Sequence, residues 1–150
     1  MDPQRKEGRY ERLYRQLQGL LAARSTRLSR MATVAAVLSY KMEYFFWTGF
    51  YLLEDGELYA GPYQGPVACQ HLEKGKGVCW AGILGGRSVI VPDVHAFPGH
   101  IACDSRSRSE IVIPLVRNDQ VIGVLDVDST ALSSFDETDA RWLEKIVELI

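Results

Sequence analysis

The chain has 150 residues, 47% of them apolar and 24% charged, and its 17 basic and 19 acidic side chains leave a formal charge of −2. That suits one globular domain of ordinary soluble composition, and without a basic excess nothing favours nucleic acid or an anionic membrane as a partner. The charged stretch over residues 1–19 does not resemble a signal peptide, and no run approaches the roughly 18 apolar residues that span a bilayer. A cytoplasmic location is therefore expected, where an oxidised cysteine pair is usually transient and catalytic.

Leu13, Leu17, Leu20 and Leu21 recur at the spacing of one helix face, and a second helix is expected over about residues 28–40 with Leu28, Met31, Val34, Ala35 and Leu38 turned inward. Phe45 to Leu53 is aromatic and apolar and predicts a buried strand. Glu54-Asp55-Gly56-Glu57 turns it into a hairpin with Leu58–Tyr63. A short helix follows over Val78–Leu84, ended by Gly85-Gly86, and then a strand over Ser88–Val91. Pro92 to Ser109 is a polar 18-residue segment holding two histidines and Cys103, long enough to suggest a functional loop. Strands are expected over Glu110–Val116 and Val121–Asp128. A last helix, capped near Ser134 or Asp136, carries Trp142, Leu143, Ile146, Leu149 and Ile150 on one face. Helices at both ends of a set of hairpins imply an α+β domain on an antiparallel sheet.

Cys69, Cys79 and Cys103 are the chemical centre of this pattern. Most cysteines are inert core residues. Cys103, however, sits in the long polar loop beside Asp104, Arg106 and Arg108, where a guanidinium favours the thiolate. Cys79 begins the short helix, whose dipole favours a thiolate as well. Three thiols in three loop-edge settings suit attack by one and resolution by another. Zinc is the competing use, through Cys69-x-His71 and His95-x4-His100-x2-Cys103. The absence of any C-x2-C pair argues against it, and His95 and His100 are expected to organise the loop by hydrogen bonding.

Asp126 and Asp128 lie two apart in a strand that reads as central, so they share a face. Two buried carboxyls together raise one pKa and leave an acid able to donate a proton near neutral pH. Glu110 joins them only in one hairpin register. A simple two-residue turn at Asn118-Asp119 would set Glu110 opposite Val127, on the wrong face. One extra loop residue or a bulge sets it opposite Asp128. A bulged or odd-length connection is therefore expected. Trp47, Tyr51 and Tyr63 could line a small apolar pocket suited to a thioether or methyl group. The glycines of G-K-G-V-C-W-A-G match neither a dinucleotide fingerprint nor a P-loop.

Several stretches run in order across about two-thirds of the chain: W-T-G-F-Y-L-L from Trp47, Gly61-Pro62-Tyr63-Gln64-Gly65, Ala68-Cys69, G-K-G-V-C ending at Cys79, G-H-I-A-C-D ending at Asp104, S-E-I-V-I-P-L from Ser109, and I-G-V-L-D-V-D-S ending at Ser129. With them the chain resembles the free methionine-(R)-sulfoxide reductase family, built on a GAF domain. The resemblance implies one such domain over residues 1–150, with N-terminal helices over 1–40 and the sheet, active-site loops and C-terminal helix over 45–150. The sheet would be six-stranded and antiparallel, with the terminal helices on one face and a closed pocket on the other.

The resemblance also implies reduction of the free sulfoxide by Cys103, with Cys69 as the main disulfide partner and Cys79 able to take part in recycling. Glu110, Asp126 and Asp128 would polarise the sulfoxide and bind the amino group, and Trp47 would pack on the methyl, with Tyr51 beside it. It implies no metal or organic cofactor, an external thioredoxin-type reductant, and often a homodimer. Trp80 after Cys79 and Pro66-Val67 before Ala68 depart from the family pattern. The rival readings are a non-catalytic GAF sensor and a redox or metal-binding module. Sensors normally sit in longer chains with an output domain, for which a chain ending at Ile150 leaves no room.

Overall fold

The computed structural model describes residues 1–150. Helix α1 (Pro3–Leu21) starts with proline at a position that needs no amide donor, behind Asp2, whose carboxylate accepts from the Arg5 amide. Helix α2 (Arg27–Lys41) opens with a Thr26–Ser29 capping box. The inward stripe of α2 is Met31, Val34, Ala35 and Leu38, as its spacing predicts. Leu20 and Leu28 were expected on the apolar faces, but they are 48% and 64% exposed, because the stripes run a turn past the buried layer.

The strands are β1 (Trp47–Glu54), β2 (Glu57–Gln64), β3 (His71–Leu72), β4 (Val89–Val91), β5 (Ser109–Arg117) and β6 (Gln120–Ser129). Helix α3 (Gly77–Gly85) lies between β3 and β4, and α4 (Glu137–Val147) follows β6. The first hairpin turns on Asp55-Gly56, both with positive φ, which matches the twist of the flanking strands. Gly86 ends α3 in the left-handed conformation that a C-cap requires. The six strands form one antiparallel sheet in the order β3-β2-β1-β6-β5-β4.

Alternation along the central strands divides the molecule into two layers. Phe50, Ile111, Ile113, Leu115, Leu125 and Val127 face the larger core under α1, α2 and α4. Within that layer Asp139 is wholly buried and accepts from Lys6 Nζ at 2.6 Å and from the hydroxyls of Tyr10 and Tyr44. A fully satisfied buried ion pair of this kind fixes how α1 sits on α4. Trp47, Tyr51, Val112 and Val124 face the other way, under α3. A Cβ on Gly82 would come within 2.7 Å of Val112, so glycine there lets α3 approach the sheet. No helix is long and apolar enough to cross a membrane.

The long segment after β4 contains one 3-10 turn, Val94–Ala96, and otherwise irregular backbone. Its order comes from the main chain and from two aspartates. The Val94 amide donates to Arg108 O, His95 N to Asp93 Oδ1, and Arg106 N to Asp104 Oδ1. The histidine rings, expected to supply that order, instead meet edge to face at 6.4 Å.

Candidate active site

The face of the sheet under α3 collects the expected acids, and the register explains how. Asn118 and Asp119 both have positive φ and form a tight two-residue turn that pairs Arg117 with Gln120. By itself that turn would place Glu110 on the wrong face. The pairing then slips by one residue, from Val116↔Val121 to Leu115↔Gly123, leaving Ile122 extra on β6. From there Glu110 pairs with Asp128 and Val112 with Asp126. The expected bulge is therefore inside the strand, and a tight turn coexists with it.

Strand β1 completes the floor, with Trp47 opposite Asp128, Gly49 opposite Asp126 and Tyr51 opposite Val124. Glu110 and Asp126 are each 5% exposed, while Asp128 is half-buried. No lysine or arginine forms an ion pair with these three carboxyls, Lys76 at the cavity being paired with Glu73 at 3.1 Å, and Asp126 Oδ1 has no hydrogen-bond partner. Burial pushes the Glu110 carboxyl well above its ordinary range, and the charges of Asp126 and Asp128 push it further. Burial also raises Asp128, with Asp126 and Asp104 adding to it. Asp126 is raised by burial and partly brought back by the Glu110 and Cys79 side chains beside it. Such a cluster favours protonated carboxyls and has room for a positive charge.

Cys79 differs from the expectation. It is 4% exposed in the first turn of α3, and its Sγ lies within 4.8 Å of carboxyl oxygens of Glu110 and Asp126. Burial first, then the charges of Asp126, Glu110 and Asp128, push its thiol well up, so the site favours the protonated form. The helix dipole, worth about 0.3–1 kcal/mol at an exposed terminus, is outweighed. Trp80 turns away from the acids and donates from Nε1 to Leu72 O at 3.1 Å, pinning β3 to α3.

Cys69 and Cys103 are joined in a disulfide, with Cα atoms 5.4 Å apart. Cys69 lies half-buried in the loop between β2 and β3, and Cys103 is exposed in the long loop. Arg106 is bound by Asp104 through two contacts of 3.0 and 2.7 Å and lies 4.9 Å from the Phe46 ring. Its hydrogen bonds hold the Asp104 carboxylate down to about 2, so the charge next to Cys103 is already paired. Cys69 and Cys103 are taken by the disulfide here, and His71 meets Glu57 at 2.9 Å. The one thiol and two carboxyls that do converge are Cys79, Glu110 and Asp126.

A cavity of about 50 Å³ lies among these groups, lined by Trp47, Tyr51, Cys79, Cys103, Glu110, Asp126 and Asp128. Water needs on the order of 10–15 Å³ by that measure, so the disulfide form has room for a few water-sized groups. All three expected acids, two of the cysteines and two of the three expected aromatics, Trp47 and Tyr51 but not Tyr63, thus line one space, with Cys69 bonded at its rim. Lys76, Ile101 and Ser107 line it too. They went unnoticed in the sequence because neither periodicity nor residue type marks them.

Comparison with known proteins agrees with this geometry. A family model described as a GAF domain matches residues 29–150. GAF domain-containing protein A of Dictyostelium discoideum is 48% identical over 146 residues, covering 97% of this chain and 92% of its own. Free methionine-R-sulfoxide reductase of Escherichia coli is 43% identical over 138 residues, covering 92% and 84% respectively. Among solved structures, free methionine-R-sulfoxide reductase of Neisseria meningitidis in complex with its substrate superposes with a TM-score of 0.93. It shares 42% identity over 99% of this chain and 88% of that one.

Proposed function

The chain belongs to the GAF-domain family of free methionine-R-sulfoxide reductases, and we propose that it reduces free methionine-(R)-sulfoxide to methionine with Cys103 as the attacking thiolate. The observation that carries this reading is the Cys69–Cys103 disulfide at the rim of a cavity walled by protonatable acids.

The chemistry follows from the groups. A carboxylic acid of the Glu110, Asp126 and Asp128 cluster donates a proton to the sulfoxide oxygen, which makes the sulfur electrophilic. The Cys103 thiolate attacks that sulfur. The protonated oxygen then passes to the Cys103 sulfur as both bonds to the methionine sulfur break, methionine leaves, and Cys103 is left as sulfenic acid. Cys69 then condenses with it, releasing water and forming the disulfide seen here. Two electrons pass from two thiols to one sulfoxide. A cytoplasmic dithiol protein of the thioredoxin type restores the thiols by exchange. Every atom in these steps comes from the substrate, the reductant and the side chains.

The unpartnered Asp126 Oδ1 is available to accept from the substrate's ammonium. A methionine sulfoxide inside a peptide has no such ammonium, so the same acids reject it. Trp47 and Tyr51 supply the apolar wall for the S-methyl group. Cys79, buried and protonated, backs the acid cluster and stays outside the disulfide.

The test is consumption of NADPH by thioredoxin reductase and thioredoxin with the separated R and S epimers and with the N-acetylated R epimer. We expect turnover of the free R epimer alone, lost in Cys103→Ser by at least about 10³-fold. Absence of turnover by reduced, folded wild-type protein would leave ligand sensing as the better reading.

A further inference from the structure

Cys69 is carried by a segment, Gly65–Gln70, without helix or strand, yet its sulfur must meet Cys103 in one geometry. Three aromatic side chains from the neighbouring strands reach that segment. Trp47 Nε1 donates to Pro66 O at 3.0 Å, the Tyr51 hydroxyl donates to Cys69 O at 3.3 Å, and the Ala68 amide donates to the Tyr63 hydroxyl at 3.5 Å. The rings form one stack: Trp47 lies 5.7 Å from Tyr51 and 5.2 Å from Tyr63, with planes tilted by 23° and 22°.

The stack is built by backbone features with no other evident use. The β1–β2 register shifts between Gly49↔Tyr63 and Tyr51↔Ala60, so Gly61-Pro62 faces the single residue Phe50. Without that bulge Tyr63 would pair with Thr48 and turn its ring to the helix side. Pro62, which has no amide to give to a ladder, suits the bulge. A Cβ on Gly49 would overlap Tyr63, so glycine opens the slot the stack occupies. Gly65, at φ +129°, brings the segment down onto Trp47, where a Cβ would meet the indole at 2.9 Å.

We propose that the Trp47–Tyr51–Tyr63 stack positions the Cys69 segment, and that the tyrosine hydroxyls set the rate at which Cys69 captures the Cys103 sulfenic acid. This deepens the proposed reaction and rests on it. The step is Cys103–SOH plus Cys69–SH giving the disulfide and water, with methionine sulfoxide as the oxidant that made the sulfenic acid. Tyr51 and Tyr63 act through Cys69 here and are positioning residues for this step. A displacement of about 1 Å of one reacting group can cost 10²-fold, so tethers on Cys69 O and on the amide one residue earlier bear directly on the rate.

The experiment is a rapid-mixing single turnover of the reduced full chain with one equivalent of free methionine-(R)-sulfoxide and excess dimedone, followed by mass spectrometry of Cys103. Wild type is expected to form the disulfide with little dimedone adduct, and Cys69→Ser to give the adduct almost completely. Tyr63→Phe, which keeps the ring in the stack, should raise the adduct-to-disulfide ratio about fivefold, the rate equivalent of one ordinary hydrogen bond. It should still release one methionine per chain. Tyr51→Phe removes the other hydroxyl and, because its ring also lines the substrate cavity, is read by the adduct-to-disulfide ratio alone should Tyr63→Phe prove insoluble. Wild-type partitioning in the soluble variants would overturn the proposal. Failure of wild type and Cys69→Ser alike to release methionine would instead overturn the underlying reaction.

Discussion

A buried carboxyl with no counter-cation keeps its proton or takes up a ligand that brings positive charge, and Glu110 and Asp126 are in that position. Their raised pKa values fix a sign for stability. The folded chain holds protons that the unfolded chain has released above about pH 4, so the favourable contribution is fully present below that pH. It is lost as pH rises through the folded values. Glu110→Gln removes one such group, and urea unfolding between pH 5 and pH 8 should show a flatter decline in its midpoint than wild type. The same variant should lose about 10²-fold or more in reductase rate, because the acid cluster that activates the sulfoxide is weakened. An equal pH slope in the two proteins would mean that Glu110 does not hold its proton. Cys79 shows what the sequence could not give at this scale. Its place in the first turn of α3 was legible, but the acids around it come from β5 and β6, dozens of residues away.

At the scale of elements, the functional face depends on a bulge that absorbs one surplus residue. With Ile122 held out of the β5–β6 pairing, Glu110 meets Asp128 while the Asn118-Asp119 turn stays tight. Deleting Ile122 should therefore leave a regular hairpin, with Leu115 still opposite Gly123 and Glu110 opposite Asp128, and reductase activity should be retained. A soluble but inactive deletion variant would show that this pairing alone does not place the acid. The need for a slip was legible from the two-residue spacing of Asp126 and Asp128 and their distance from Glu110. Its location was not, because turn chemistry and strand pairing separately fix the two ends of the hairpin. Gly123 sits at the slip, and a Cβ there would strike the β1 backbone at Tyr51 and Leu52. The terminal helices were legible from their stripes. Lys6, Tyr10, Tyr44 and Asp139 were not, since a buried polar network leaves no period in the sequence.

For the whole molecule, one sheet separates two tasks. The helix side carries the larger core, and the α3 side carries a small cavity closed at its rim by a reversible bond. That bond spans 34 residues, and the chain-entropy relation gives such a closure about 3–4 kcal/mol as an upper figure. The oxidised protein should therefore unfold at higher urea concentration than the reduced one, and equal midpoints would mean that the reduced loops are already held in place. The most direct measurement is a single turnover without external reductant. Fully reduced protein is mixed under anaerobic conditions with excess free methionine-(R)-sulfoxide, and methionine, remaining thiols and disulfide-linked peptides are counted together. We expect one methionine per chain, two thiols lost, Cys79 still free and a single Cys69–Cys103 linkage. No methionine, or a linkage that includes Cys79, would contradict the assignment of Cys103 as the attacking thiol and Cys69 as its partner.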